Sequence, residues 1–504
     1  MRSYPMRPWL QFCRVFANEG RVLLADRTLW LACGLLCVFL GYGLVNGLTE
    51  IRSREATLLD LQKKEPVREA ANLERLRRVM AGAEVPQPFS NPADPASASG
   101  SLGARHAVLP YRALAPLALG QSDMSPNYYR VTNRNKSSFL YDSEMENPWN
   151  LMTGRFDAAF VVLYLLPLLI LGISYNLLSA ERERGTLRML LSQPLSIGNL
   201  LVAKIAVRLT AVLGALVLTV MITLAVARFG AAGAAGAVGA AGVAGVGWVA
   251  GDLAWWFAMA AAYALFWFAL AALVNAWGKS SASNAFVLMA LWVALVLVAP
   301  VLLNLAVAQI HPAPSRIELA TRTQLVTIAG MERHAALMAT DYQHIKQPGL
   351  LLPKDGKLEV AARRKAFALI DAEVDAGIDK LLAAFENQLL AQQSLIERFA
   401  AVSPAAVAHE GMSALAGTGS RRYTQFVQQV GSYHGDWKRF FAPKIQNGQA
   451  MTEADYVALP RFRWAEEPAG ALRTQLLGYL AQLLLPALLL ALWTWRRLRR
   501  YPVV

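Results

Sequence analysis

Charge is scarce in this chain: 17% of its 504 residues are Asp, Glu, Lys or Arg, against 55% hydrophobic residues and a mean hydropathy of +0.33. A water-soluble protein carries roughly a quarter of its residues as charges. A wholly soluble fold is thereby excluded, and apolar residues gathered in blocks point to a polytopic membrane protein. Cysteine is nearly absent. Cys13, Cys33 and Cys37 all precede the regions expected to lie outside, so no disulfide framework holds those regions. Cys33 and Cys37, one helical turn apart in an apolar run, read as small apolar filler rather than a metal pair. No cleavable leader is expected either. The run Leu29–Leu48 is longer than a leader's apolar core and no small-residue cleavage site follows it, so it reads as a retained first span.

About 20 helical residues cross a ~30 Å hydrocarbon core. Six segments qualify: Leu29–Leu48, Ala158–Leu178, Leu200–Ala227, Leu253–Ala276, Ala285–Gln309 and Leu476–Trp495. None contains Asp, Glu or His. Ion-coupled carriers bury such groups because protons and ions need them, so a proton-driven carrier and an intramembrane aspartyl or metalloprotease are both disfavoured. Lys204 and Arg208, near one end of the third segment, are expected to snorkel to the interface. An ATP site is missing as well. Gly278-Lys279-Ser280 looks like the end of a phosphate-binding loop, but Leu273 stands where its first glycine belongs, and the stretch is a tight turn between two spans. There is no H-E-x-x-H, and the six histidines are scattered; His434 beside Asp436 reads as a surface contact.

What is present orients the chain. Arg2, Arg7, Arg14, Arg21 and Arg27, then Arg182, Arg184 and Arg188, then Lys279, then Arg496, Arg497, Arg499 and Arg500 all fall on one side of a six-span layout. By the positive-inside rule that side is the cytoplasm. The net charge of +14 is thus topology, and no nucleic-acid partner is expected. The expected fold is an all-α membrane protein with six transmembrane helices and a mostly helical extracytoplasmic domain built from two insertions. Residues 1–27 form a cytoplasmic interfacial amphipathic helix, with spans at 28–49, 158–178, 200–228, 253–276, 285–309 and 474–495. The extracytoplasmic regions are 50–157 and 310–473, with an outer Gly/Ala-rich loop at 229–252 that either stays outside or dips back into the membrane. A cytoplasmic segment at 179–199, a loop at 277–284 and a tail at 496–504 complete the layout. Residues 51–80 read as charged helix and 85–101 as a Pro- and Ser-rich linker. Lys357–Val402 reads as helix, with Ile370, Val374, Ile378, Leu381 and Leu382 at helical spacing. Pro167, Pro300 and Pro486 fall within spans as possible kinks.

The most informative stretch is Glu181-Arg182-Glu183-Arg184-Gly185-Thr186-Leu187-Arg188-Met189-Leu190-Leu191-Ser192-Gln193-Pro194. Gly185 can end a helix in the left-handed conformation, Thr186 is a natural N-cap for the next one, and Pro194 stops that helix after about two turns. Ser196 can cap the helix entering the third span. A short helix bounded by two breaks, with apolar Leu187, Leu190 and Leu191 and charged Arg188, suits lying across the membrane face and seating in a partner's groove. An ordinary basic connecting loop fits the same spacing.

This stretch resembles the E-x-E-x-G-T-L…L-L-S-x-P segment of ABC-2-type permeases. Leu117–Asp123, Asn147–Asn150, Gly154–Asp157 and Pro312–Arg316 resemble a subset with large extracytoplasmic insertions that form a domain of unknown function. The resemblance implies a permease subunit without its own ATPase site, in a multi-pass cell (inner) membrane protein whose termini are cytoplasmic. It further implies an ABC ATPase partner that binds ATP and Mg, and a second permease, identical or sibling, with export as the expected direction. No cofactor, metal or catalytic residue is expected in this chain. Glu181, Glu183, Gly185, Thr186, Leu187, Arg188, Leu190, Leu191 and Pro194 become the expected ATPase-coupling residues, with Lys204 matching the lead into the next span. The helix of residues 5–26 resembles one that also faces the ATPase in that family, and equally fits a simple surface anchor. The alternative from a different class is a membrane-anchored extracytoplasmic binding or sensor protein acting without an ATPase.

Overall fold

The computed structural model describes residues 8–25, 27–86, 90–120, 126–133, 136, 156–192, 196–233, 250–312, 316–338 and 362–501. All six apolar segments lie in helices long and apolar enough to cross a membrane: Arg27–Met80, Ala158–Glu183, Ile197–Ala227, Gly251–Asn275, Ser281–Ile310 and Ala469–Leu498. The fourth span is the centre of the bundle. In its most apolar stretch 78% of residues are buried, against 11% for the fifth and 17% for the third, so those two present most of their apolar surface outward. Trp256, Tyr263, Trp267 and Phe268 of the fourth span fill the core against Val161, Leu166 and Ile170 of the second.

Two of the prolines sit just beyond wide helical turns, Val161–Leu165 before Pro167 and Val293–Val298 before Pro300. A proline has no N–H to return to the carbonyl four residues back, so that carbonyl needs another donor in a dry core. The Tyr263 hydroxyl donates to the Leu163 carbonyl at 2.8 Å. In the wide turn before Pro300 the bonds reach five residues back, and there the Ser403 hydroxyl donates to the Leu295 carbonyl at 2.8 Å. Ser403 is the N-cap of the Pro404–Ala416 helix, which packs Val407, Ala408 and Met412 into the core of the bundle. Pro486 lies inside one continuous helix.

The first span does not stop at the membrane. Its helix runs unbroken over 54 residues, Arg27–Met80, so the charged stretch expected to be helical is the same rod as the apolar one. Leu76 and Val79 near its end enter a second core with Ala107, Tyr129, Phe426, Val430, Tyr433, Trp437 and Phe441. The two insertions therefore share one core, as expected. The Pro- and Ser-rich stretch contributes a helical turn at Pro95–Ser97, held where Trp437 Nε1 donates to the Ser99 carbonyl at 3.0 Å and Met451 N to the Ala93 carbonyl at 2.9 Å. A small hairpin was not anticipated: Arg105–Val108 pairs antiparallel with Tyr128–Val131, with Arg105 opposite Val131. The expected helix over Lys357–Val402 forms as Ala362–Phe399, and Ile378 and Leu382 close its contact with the helix Arg316–Met338. His434 is buried, contrary to its expected place on the surface, and Asp436 pairs with Arg439. The Gly/Ala-rich stretch 234–249 lies outside the described residues.

Glu466, just before the sixth span, clasps this domain. Arg112 donates to Glu466 Oε1 at 2.7 Å, and Arg422 donates to both carboxylate oxygens at 2.9 Å. Trp464 Nε1 adds a bond to Oε2 at 2.7 Å. Burial opposes ionisation, but the bonds from Arg422 and Trp464 and the charges of Arg422 and Arg112 outweigh it and hold the carboxyl at about 2, below its ordinary 4.5. A depressed folded value makes the stabilisation complete above about pH 5 and erodes it as the pH falls toward 2. Glu466→Gln is expected to cost about 1–2 kcal/mol at neutral pH, less than the ~3–5 for a fully buried pair because solvent screens a partly exposed carboxylate. The deficit should vanish in acid, and melting curves of both proteins between pH 7 and pH 2.5 would show a pH-independent gap if the clasp contributed nothing.

Candidate functional site

The Glu181–Leu191 segment sits where the N-terminal helix Pro8–Ala25, the ends of the second, fourth and sixth spans and the starts of the third and fifth come together. Gly185 ends the second span's extension with φ +72°, the left-handed conformation expected of it. The next helix, Thr186–Leu191, is short, as anticipated. Its N-cap, however, is Gly185. Thr186 is the first helical residue, and its hydroxyl turns back to the Glu181 carboxylate and, at 3.1 Å, to the Glu181 carbonyl. Ser196 does cap the helix into the third span, accepting from Asn199 N at 3.1 Å. Pro194 lies outside the described residues.

Three consecutive side chains tie this segment to three different neighbours. Glu181 Oε1 accepts from Lys204 Nζ of the third span at 3.0 Å, and Glu19 of the N-terminal helix approaches the same ammonium at 3.7 Å. Arg182 donates to the Gly278 carbonyl in the turn after the fourth span. Glu183 accepts from Ser281 N at 2.7 Å and Ser281 Oγ at 2.9 Å, so it caps the fifth span's first turn, where unpaired N–H groups and the helix dipole favour a carboxylate.

The leucines face inward. Leu187 is 1% exposed and joins Leu177, Leu178, Leu200, Leu201, Ala272 and Tyr501, with Leu190 and Leu191 packed against the same cluster. Within this chain they fill the space between the ends of the spans. What faces out is Arg184, Arg188, Ser192 and Met189, the last 66% exposed. Lys204 and Arg208 also depart from expectation. They are buried, at 5% and 9%, and do not snorkel, because carboxylates and carbonyls inside the bundle meet them.

Two further residues, Asn275 and Asn284, are uncharged amides and leave no ionisable signal in the sequence. The second span's α-helix ends at Ser174 and resumes at Ser179. Across that break Asn275 Nδ2 donates to the Ser174 carbonyl at 3.0 Å while its Oδ1 accepts from Leu178 N at 3.2 Å. Arg208 Nε donates to the Ile173 carbonyl at 2.8 Å, and Asn284 Nδ2 to the Tyr175 carbonyl at 3.3 Å. An amide in an otherwise apolar helix was the available signal.

These features define a multi-pass α-helical membrane protein whose polar contacts converge at one end of the bundle. Residues 137–242 match the model of a family described as ABC-2 family transporter protein, a stretch holding the second and third spans and the whole segment between them. Residues 332–465 match a domain of unknown function (DUF3526) within the second insertion. The chain thus carries one stretch similar to ABC-2 family transporter proteins and a second similar to a domain of unknown function. No curated protein matches it.

Proposed function

We propose that this chain is the permease subunit of an ATP-driven transporter, worked by a separate ATPase that binds ATP and Mg and docks on the Glu181–Leu191 segment. Export is the direction the permease resemblance implies. The observation that carries the reading is the three-way tie of Glu181, Arg182 and Glu183 to the third span, the Gly278 turn and the fifth span. A push on this segment reaches three spans at once. The exposed arginines at this end support a cytoplasmic placement, with both termini on that side. The outward apolar surfaces of the third and fifth spans suit lipid and a second permease, identical or sibling.

Met189, flanked by Arg184 and Arg188, is the surface offered to the ATPase. Met189→Asp or Arg188→Glu is expected to reduce co-purification of the ATPase about tenfold each, the size of a modest interface hot spot. A photo-crosslinking residue at position 189 should trap a protein bearing a phosphate-binding loop, identified by mass spectrometry. A chain that traps no such protein from positions 184, 188 or 189, and functions without ATP, is instead a binding or sensor protein.

A further inference from the structure

The contacts at the end of the second span form two tiers in the same order. In one tier, residues 181, 182 and 183 reach the third span at Lys204, the turn at Gly278 and the fifth span at Ser281. In the other, the carbonyls of residues 173, 174 and 175 are taken by Arg208 of the third span, Asn275 of the fourth and Asn284 of the fifth. Lys204 and Arg208 are one helical turn apart and are linked by Arg208 Nη1 donating to the Lys204 carbonyl at 3.1 Å. Between the tiers lies the break.

A helical break in a dry core leaves carbonyls and an N–H without partners, and each must be met by another chain segment. Asn275 meets both ends of one lost bond. In an unbroken helix Leu178 N would donate to the Ser174 carbonyl. Here the Asn275 amide stands between them, one edge on each, and Asn275 also donates to its own Ala271 carbonyl at 2.9 Å. It is fully buried, and Asn284 Nδ2 reaches its Oδ1 at 3.5 Å. An amide is the side chain that supplies a donor and an acceptor side by side.

We propose that Asn275 is a positioning residue for coupling. It clips the break so that residues 173–183 and the adjoining ends of the third, fourth and fifth spans move as one rigid body when the ATPase displaces the segment. This rests on the permease reading above. With one tier alone the segment could swing about the Tyr175–Leu178 turn; two tiers remove that freedom. Two polar atoms beside the clip, Ser174 Oγ and Asn284 Oδ1, are buried without a partner among the described residues.

The test compares the full chain with Asn275→Leu by hydrogen exchange, alone and in complex with its co-expressed ATPase, nucleotide-free and vanadate-trapped. The first arm needs no ATPase: exchange at residues 174–180 should rise at least about tenfold in the variant, while residues 186–192 keep the wild-type rate. In the complex the variant should keep ATPase binding and hydrolysis within about twofold, yet lose the nucleotide-dependent change in exchange across the third to fifth spans. A purely structural role would not separate hydrolysis from that transmitted change. Unchanged exchange at 174–180, or a transmitted change of wild-type size in the variant, overturns the proposal. If the wild-type complex shows no ATP hydrolysis or no nucleotide response, the permease reading falls, and the first arm still decides whether Asn275 holds the break. Should Asn275→Leu fail to insert, Asn284→Ala, which removes the weaker neighbouring bonds, is read the same way, with a smaller rise at 174–180 expected and an unchanged rate counting against the clip.

Discussion

Lys204→Met is expected to destabilise the chain by about 3–5 kcal/mol, the cost of removing one partner from a buried ion pair. The lysine side chain is 6% exposed and its carboxylates, Glu19 and Glu181, are 14% and 24% exposed. Neither carboxylate has solvent enough to replace the ammonium. Because the cost lies in the stranded charges more than in the lost contact, Lys204→Met combined with Glu19→Gln and Glu181→Gln should regain most of it. Fluorescence-monitored melting of the detergent-purified chain reads both steps. A single variant that melts like the wild type, or a triple variant no better than the single, would show that the three groups are not coupled. Glu181 also holds the Thr186 hydroxyl, so the triple variant should recover stability without full transport.

The second large effect is steric. A Cβ on Gly47 would run into the Pro116 carbonyl oxygen, and one on Gly43 would lie 2.7 Å from the Asp157 carbonyl group. Small residues four apart let backbones approach closely inside a membrane, and here the closeness is spent within the chain. It seats the Ala115–Leu117 turn and the start of the second span against the first. Gly47→Leu has no relaxed position for its side chain, since backbone atoms do the blocking. Overpacking of this kind costs about 1–3 kcal/mol or more, and the folded, monodisperse yield should collapse. Gly34→Leu, with nothing within 4 Å, should purify like the wild type. Equal losses from both substitutions would mean that any bulk on the first span is harmful and the close approach has no special role.

How much of this was legible in the sequence depends on which physical signal each feature leaves. Hydropathy over a window of about 20 residues is a strong signal, and all six spans were found by it. The left-handed Gly185 and the Ser196 cap were also readable, because each is a local requirement of the backbone. Features set by long-range partners were not. Leu187 looks like a docking residue on its own six-residue helix, and only the arrival of Leu200, Ala272 and Tyr501 from distant positions turns it inward. Lys204 and Arg208 look free to snorkel until Glu19, Glu181 and the Ile173 carbonyl are brought beside them. The first helix was legible in its two parts, the apolar run and the charged helix of residues 51–80; only their continuity was hidden, because the change from apolar to charged residues at about Thr49 marks a change of solvent and leaves no sign that the helix runs on.

That unbroken helix gives the molecule a lever. At 1.5 Å per residue the part beyond the membrane is roughly 45 Å long. Its far end is stapled into the aromatic core of the outer domain through Leu76 and Val79. A tilt of the first span by about 10° about the middle of a ~30 Å core would therefore sweep that end through roughly 10 Å, about four times the displacement of the same helix at the bilayer surface. Small rearrangements among the spans reach the outer domain magnified, and a ligand or partner gripping that domain has the same mechanical advantage over the spans.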